Sequence, residues 1–147
     1  MVKTLSQLYL EARRAFLTQE DDQTASLIAR DLLCFVTGKT REQVIAQREM
    51  YASEESCFAM AQAVTRVLSG EPLAYVLGQW DFYGMTLEVD KNVLIPRDDT
   101  CAVTTLAVNQ ALFLGASPRI LDLCTGSGCI GLAIASRVKD AKVTCAD

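Results

Sequence analysis

The stretch "LDLCTGSGCIGLAIA", residues 121–135, decides the fold. It opens inside an apolar run, Arg119 to Leu123, passes through small glycine-rich residues, and continues in an apolar helical pattern. A strand that ends in a glycine turn and restarts as a helix has the shape of a cofactor loop. A second apolar, β-branched run, Lys142 to Ala146, follows the helix, so the segment reads as one β-α-β unit. Such a unit implies parallel strands.

Two fingerprints overlap in the loop. Gly126, Gly128 and Gly131 spell G-x-G-x-x-G, the dinucleotide signature. Asp122 to Gly128 spell Asp-x-Cys-x-Gly-x-Gly, one residue away from the Asp/Glu-x-Gly-x-Gly-x-Gly loop of S-adenosylmethionine enzymes. Either ligand would meet the unpaired N–H groups and positive dipole end of the helix. Gly126 and Gly128 let it approach the backbone without a Cβ in the way. Asp147 ends the second strand, 21 residues beyond Gly126, where a carboxylate accepts the hydroxyls of a ribose. Both cofactors carry that ribose, so Asp147 does not separate them. Asp122 does. A carboxylate four residues before the first glycine repels a pyrophosphate but suits a sulfonium and an ammonium.

Upstream, residues 4–69 read as helices with apolar residues at i, i+3, i+4 and i+7. The predicted faces are Leu5, Leu8, Ala12, Ala15 and Phe16; then Ala25, Ile28, Leu32, Phe35 and Val36; then Val44 and Ile45; then Phe58, Ala61, Val64, Val67 and Leu68. Gly38 and Gly70 follow the second and fourth runs as stop signals, and Ser53 before Glu54 and Glu55 is a start. Gly38-Lys39-Thr40 imitates the end of a phosphate loop, but Leu33 stands where that loop needs its first glycine. Thr40 with Gln43 reads instead as a capping box. After Gly70 comes a short apolar helical turn. Trp80–Tyr83 and Met85–Val89 flank Gly84 as a hairpin. Pro96 makes a stiff turn, and Asp98, Asp99 and Thr100 are candidate caps for a helix over 101–114.

The 147 residues, half of them apolar, suffice for one domain or two small ones. No apolar run reaches the roughly 18 residues of a membrane span. Met1 to Gln7 carries no signal-peptide pattern, so a cytoplasmic protein is expected. A net charge of −4 without a basic cluster argues against direct nucleic-acid binding. Histidine is absent, which removes Ser-His-Asp and Cys-His catalysis. Six cysteines without a short-spaced pair argue against zinc and for buried, reduced thiols. Two parallel strands leave faces and edges open. The reading is therefore a truncated α/β protein, with the open sheet edge offering a route to self-association.

The residues resemble a known family. "GEPLAYVLGQWDFYGMTLEVDKNVLIPRDDT" followed by "RILDLCTGSGCIGLAIA" is similar to the release factor glutamine methyltransferases of the HemK/PrmC family. The match covers about residues 69–147, and the helical N-terminal part agrees in length and kind. The resemblance implies an all-α substrate-recognition domain over 1–70 and a β-hairpin linker over 71–97. From 98 to 147 it implies the start of a Rossmann-like class I methyltransferase domain. It implies methyl transfer from S-adenosylmethionine to the glutamine of the Gly-Gly-Gln motif in peptide chain release factors. By position, Cys124, Thr125, Gly126, Ser127 and Gly128 form the loop at the cofactor's methionine end, and Asp147 holds the ribose. Pro96 and Arg97 sit in the linker beside the pocket.

Departures accompany the match. Cys124 replaces the loop's usual first glycine, which is tolerable if its φ is negative. Asp98 replaces a proline and Cys101 a glutamate. The family's Asn-Pro-Pro-Tyr motif, which binds the target amide, is absent, so no catalytic residue is assigned and the 147 residues alone are expected to be inactive. Other readings stay open: a methyltransferase for a ribosomal-protein glutamine or a nucleic-acid adenine, a nicotinamide-dependent oxidoreductase, or a non-catalytic module that binds a partner through residues 1–70.

Overall fold

The computed structural model describes residues 2–147. The chain divides into two units, one running to Leu77 and one spanning Gly78–Asp147.

The first unit is helical: α1 (Leu5–Phe16), α2 (Asp22–Thr37), α3 (Arg41–Ala46), α4 (Glu54–Leu68) and α5 (Leu73–Leu77). Thr4, Asp21, Thr40 and Ser53 start the first four, and each side-chain oxygen accepts the backbone N–H three residues on. Such a cap stabilises a helix by about 1 kcal/mol. Thr40 and Gln43 form the expected reciprocal capping box, and Gly38 ends α2 in the left-handed conformation at φ 62°. No phosphate loop exists there. The core joins Leu5, Leu8, Ala12 and Phe16 of α1 to Ala25, Ala29, Leu32 and Leu33 of α2 and to Met60 and Ala63 of α4.

Three large residues of the expected apolar faces meet solvent instead: Phe35 (47% exposed), Ile45 (62%) and Phe58 (66%). The apolar stripes are wider than the seams that close. In α4 the packed seam runs through Cys57, Met60, Ala63 and Val67. Phe58 stands one residue beyond Cys57, about 100° further round the helix. Ala61, also assigned to that face, is exposed as well.

The second unit opens with a hairpin of β1 (Gln79–Phe82) and β2 (Met85–Glu88). Tyr83 and Gly84 form its turn with φ of 53° and 78°. Two positive φ values in a two-residue loop make the type I′ turn that suits strand twist, so Tyr83 belongs to the turn rather than to the first strand. Trp80 pairs with Leu87 and Phe82 with Met85 on the apolar face. On the other face the Thr86 hydroxyl donates to Asp81 at 2.7 Å.

Helix α6 spans Asp98–Phe113, three residues earlier than expected. Asp98, Asp99 and Thr100 are therefore not caps. Arg97 is the extended N-cap residue and makes no side-chain cap, while the two aspartates lie in the first turn, where carboxylates meet the positive helix end.

Strand β3 (Arg119–Leu123), helix α7 (Cys129–Arg137) and strand β4 (Lys142–Ala146) complete the chain. The two strands are parallel, with Arg119 opposite Lys142 through Leu123 opposite Ala146. Val108 and Ala111 of α6 pack with Ile134 and Val138, and Ile120 and Val143 of the strands lie against them. The alternate strand residues Leu121 and Leu123 stay 62% and 69% exposed. Among the described residues, no helix is long and apolar enough to cross a membrane.

Candidate cofactor site

The site is built where two parallel strands end. The register places Leu123 opposite Ala146, so the chain leaves β3 beside the residue that precedes Asp147. The Thr125 N–H donates to the Ala146 carbonyl at 3.2 Å and ties the glycine loop to the end of β4. Gly128 donates to the Thr125 carbonyl at 2.9 Å, and at φ 75° it is the N-cap of α7. Residues 124–128 and the exposed Asp147 are thus neighbours at one end of the sheet.

Asp122 organises the loop from beneath. Its Oδ2 accepts the Thr125 hydroxyl at 2.7 Å and the Gly131 N–H at 2.9 Å. One carboxylate oxygen therefore holds both the loop and the first turn of α7. The Gly131 N–H is among the first-turn donors that find no partner inside a helix. Asp122 is half-buried.

Each glycine has its own reason. Gly126 adopts φ 54°, and a Cβ there would meet nothing within 4 Å, so the space over it is open. At Gly131 a Cβ would lie 2.6 Å from Cys145 Sγ and 3.0 Å from Asp122 Oδ2. Gly131 lets the helix pack on the strands, the role the third glycine also has in a dinucleotide loop. It does not tell the two cofactors apart.

Cys124 departs from expectation. Its φ is 58°, in the left-handed region, not negative. The loop geometry demands a glycine-like backbone there, and the side chain is carried at a cost of about 1–2 kcal/mol. The thiols are not uniformly buried either: Cys129 is buried, Cys34, Cys57 and Cys101 are half-buried, and Cys124 and Cys145 are exposed.

Pro96 is buried and Arg97 exposed just ahead of α6. Among the described residues, neither has a hydrogen bond or ion pair to the glycine loop. Two contacts had no sequence signal of their own. Cys145 forms the wall against Gly131, which only the strand register reveals. Arg137 donates to the Tyr83 carbonyl at 3.1 Å and places its guanidinium 5.4 Å from the Tyr83 ring centre. That residue clasps the hairpin turn to the end of α7.

The profile of the PrmC N-terminal domain matches residues 8–78. The chain belongs to the PrmC family. Over 135 residues it is 33% identical to a release factor glutamine methyltransferase of Vibrio cholerae, covering 92% of this chain and 46% of that protein. The relative from Haemophilus influenzae, with the same name, is 39% identical over 120 residues, or 79% of this chain and 41% of its own. The Chlorobaculum tepidum relative is 36% identical over 142 residues, or 94% and 48%. This PrmC-family chain spans about half the length of the curated relatives it matches, and corresponds to their N-terminal portion. The family proposed from the "LIPR" and glycine-loop motifs is therefore the right one.

Proposed function

We propose that the chain is the N-terminal part of an S-adenosylmethionine-dependent methyltransferase that modifies the glutamine side-chain amide in the Gly-Gly-Gln motif of peptide chain release factors. The relatives' names support the reaction and the substrate. One observation in this chain carries the cofactor reading: the Thr125–Ala146 hydrogen bond, which sets the open glycine loop beside Asp147.

The residues present fit that cofactor. Space is open over Gly126, and the carboxylate of Asp147 is exposed beside it. In this reading Asp147 accepts the ribose hydroxyls, and residues 124–128 line the methionine end. Asp122 holds the loop in shape and adds negative charge beneath it, which favours a cation over a pyrophosphate. When bound, the cofactor supplies a methyl group on a sulfonium. An amide nitrogen is a weak nucleophile because its lone pair is delocalised, so the whole site must position it. The helical unit serves as the substrate-recognition domain in this proposal, and the chain works in the cytoplasm.

Calorimetric titration of the 147-residue chain with S-adenosylhomocysteine and with NADH tests the cofactor reading. Heat from the first only, lost in Asp147→Ala, is expected; heat from NADH alone would overturn it. Methylation of a release factor by a protein containing both this chain and its Asn-Pro-Pro-Tyr half tests the reaction. The 147 residues by themselves are expected to transfer no methyl group.

A further inference from the structure

The helical unit holds a feature that the cofactor loop does not use. Helices α1, α2 and α3 enclose a groove of about 500 Å³. Leu10, Leu27 and Ile45, one from each helix, line it, together with Arg30, Arg41 and Arg48. All three apolar side chains are substantially exposed. Single exposed leucines are ordinary on a surface, but apolar side chains converging from three helices on one concavity are not.

The charge is as informative as the shape. Three arginines and no carboxylate line the groove, in a chain with 18 acidic and 14 basic residues. Arg30 is held by its neighbour Asp31 at 2.8 Å, and Arg48 by Glu49 at 3.4 Å. Arg41 makes no salt bridge among the described residues. An apolar floor with a cationic rim is the complement of an amphipathic helix that carries carboxylates beside its apolar face. A single-stranded nucleic acid would call for a longer basic track with stacking aromatics.

We propose that this groove docks an acidic amphipathic helix of a protein partner. Leu10, Leu27 and Ile45 receive its apolar residues, and Arg41 pairs with a flanking carboxylate. The proposal uses no residue of the glycine loop, so it fails or stands separately from the cofactor reading, while it rests on the helical unit being the part that recognises a protein.

Selection from a displayed library of helical peptides, followed by fluorescence anisotropy on the whole 147-residue chain, tests it. Enriched peptides are expected to carry apolar residues at i, i+3 or i+4, and i+7, flanked by Asp or Glu. Ile45→Asp should weaken them by about tenfold or more, the scale of a central contact, and Arg41→Glu by about threefold or more. Phe58→Asp, an equally exposed site outside the groove, should leave binding unchanged and serves as the folding control. Four outcomes would overturn the proposal. These are no enrichment, peptides that are basic or indifferent to Ile45→Asp, displacement of the peptides by a single-stranded RNA, or occupation of the groove by a second copy of the chain, seen as dimerisation abolished by Ile45→Asp.

Discussion

Asp122 Oδ2 accepts the Gly131 N–H at 2.9 Å, joining the end of β3 to the first turn of α7 across nine residues. The same oxygen takes the Thr125 hydroxyl, so removing it frees the loop and the helix start together. Hydrogen bonds to a charged acceptor are worth about 1.5–3 kcal/mol. Asp122→Ala is expected to destabilise the Gly78–Asp147 unit by about 2 kcal/mol, and Asp122→Asn by less, since an amide oxygen still accepts. Urea unfolding followed by circular dichroism checks this; a wild-type midpoint for Asp122→Ala would refute it.

Gly131→Ala sets two effects against each other. Alanine is a better helix former than glycine by about 1 kcal/mol. Its Cβ, however, would stand 2.6 Å from Cys145 Sγ and 3.3 Å from Val143 Cγ1, both on the β4 strand. Overpacking of this kind costs about 1–3 kcal/mol, so the variant is expected to be the less stable one. Cys145→Ala, which removes the nearest atom, should recover part of the loss in the double variant. Additive losses in a double-mutant cycle would count against the contact.

Cys124→Gly should raise stability. The residue holds φ 58°, where a Cβ crowds the backbone, and removing it relieves about 1 kcal/mol after the added chain entropy of glycine. Cys124→Val should do the reverse, because β-branching makes that backbone harder to adopt. Thermal melts of the three proteins rank them, and Val above Gly would contradict the geometry.

The strands and the hairpin were legible because their signals are local. The apolar runs on either side of the glycine loop and its helix placed β3 and β4 at the residues found, and Tyr83-Gly84 needed only two backbone angles. The seams of α2 and α4 were less legible. Small residues such as Ala29 and Ala63 are buried in the seams yet carry little hydrophobic signal, while Phe35 and Phe58 carry much and stay outside. Asp98 to Thr100 have the chemistry of caps, and the helix passed through them all the same. Cys124 is a different case: its place in the loop was readable, but its left-handed backbone follows from the strand ends it must connect. The Arg137 clasp on Tyr83 spans 54 residues and has no local trace.

Acid should weaken the helical unit through identifiable carboxylates. The Arg66 guanidinium, donating to both Glu71 oxygens at 2.7 and 2.5 Å, holds that carboxyl below its usual 4.5. The Thr24 backbone N–H and hydroxyl hold Asp21 below its usual 3.8. Folded chains bind these protons more weakly than unfolded ones. The contribution is therefore complete above about pH 4.5 and is lost as pH falls through the lowered folded values. Glu71→Gln and Asp21→Asn should both flatten the acid limb of a plot of urea midpoint against pH. An unchanged limb in the double variant would show that other groups control it.

The Thr125–Ala146 bond has a consequence for biosynthesis. The helical unit can close as soon as its residues through Leu77 have left the ribosome, since its contacts are internal. Thr125 of the glycine loop is translated 21 residues before Ala146, whose carbonyl restrains it. Until β4 emerges and adds alongside β3, the loop has Asp122 beneath it but no partner at its Thr125 amide. The nascent chain would thus carry a finished helical unit ahead of an unfinished glycine loop, and strands left waiting for a parallel neighbour are the part exposed to mispairing.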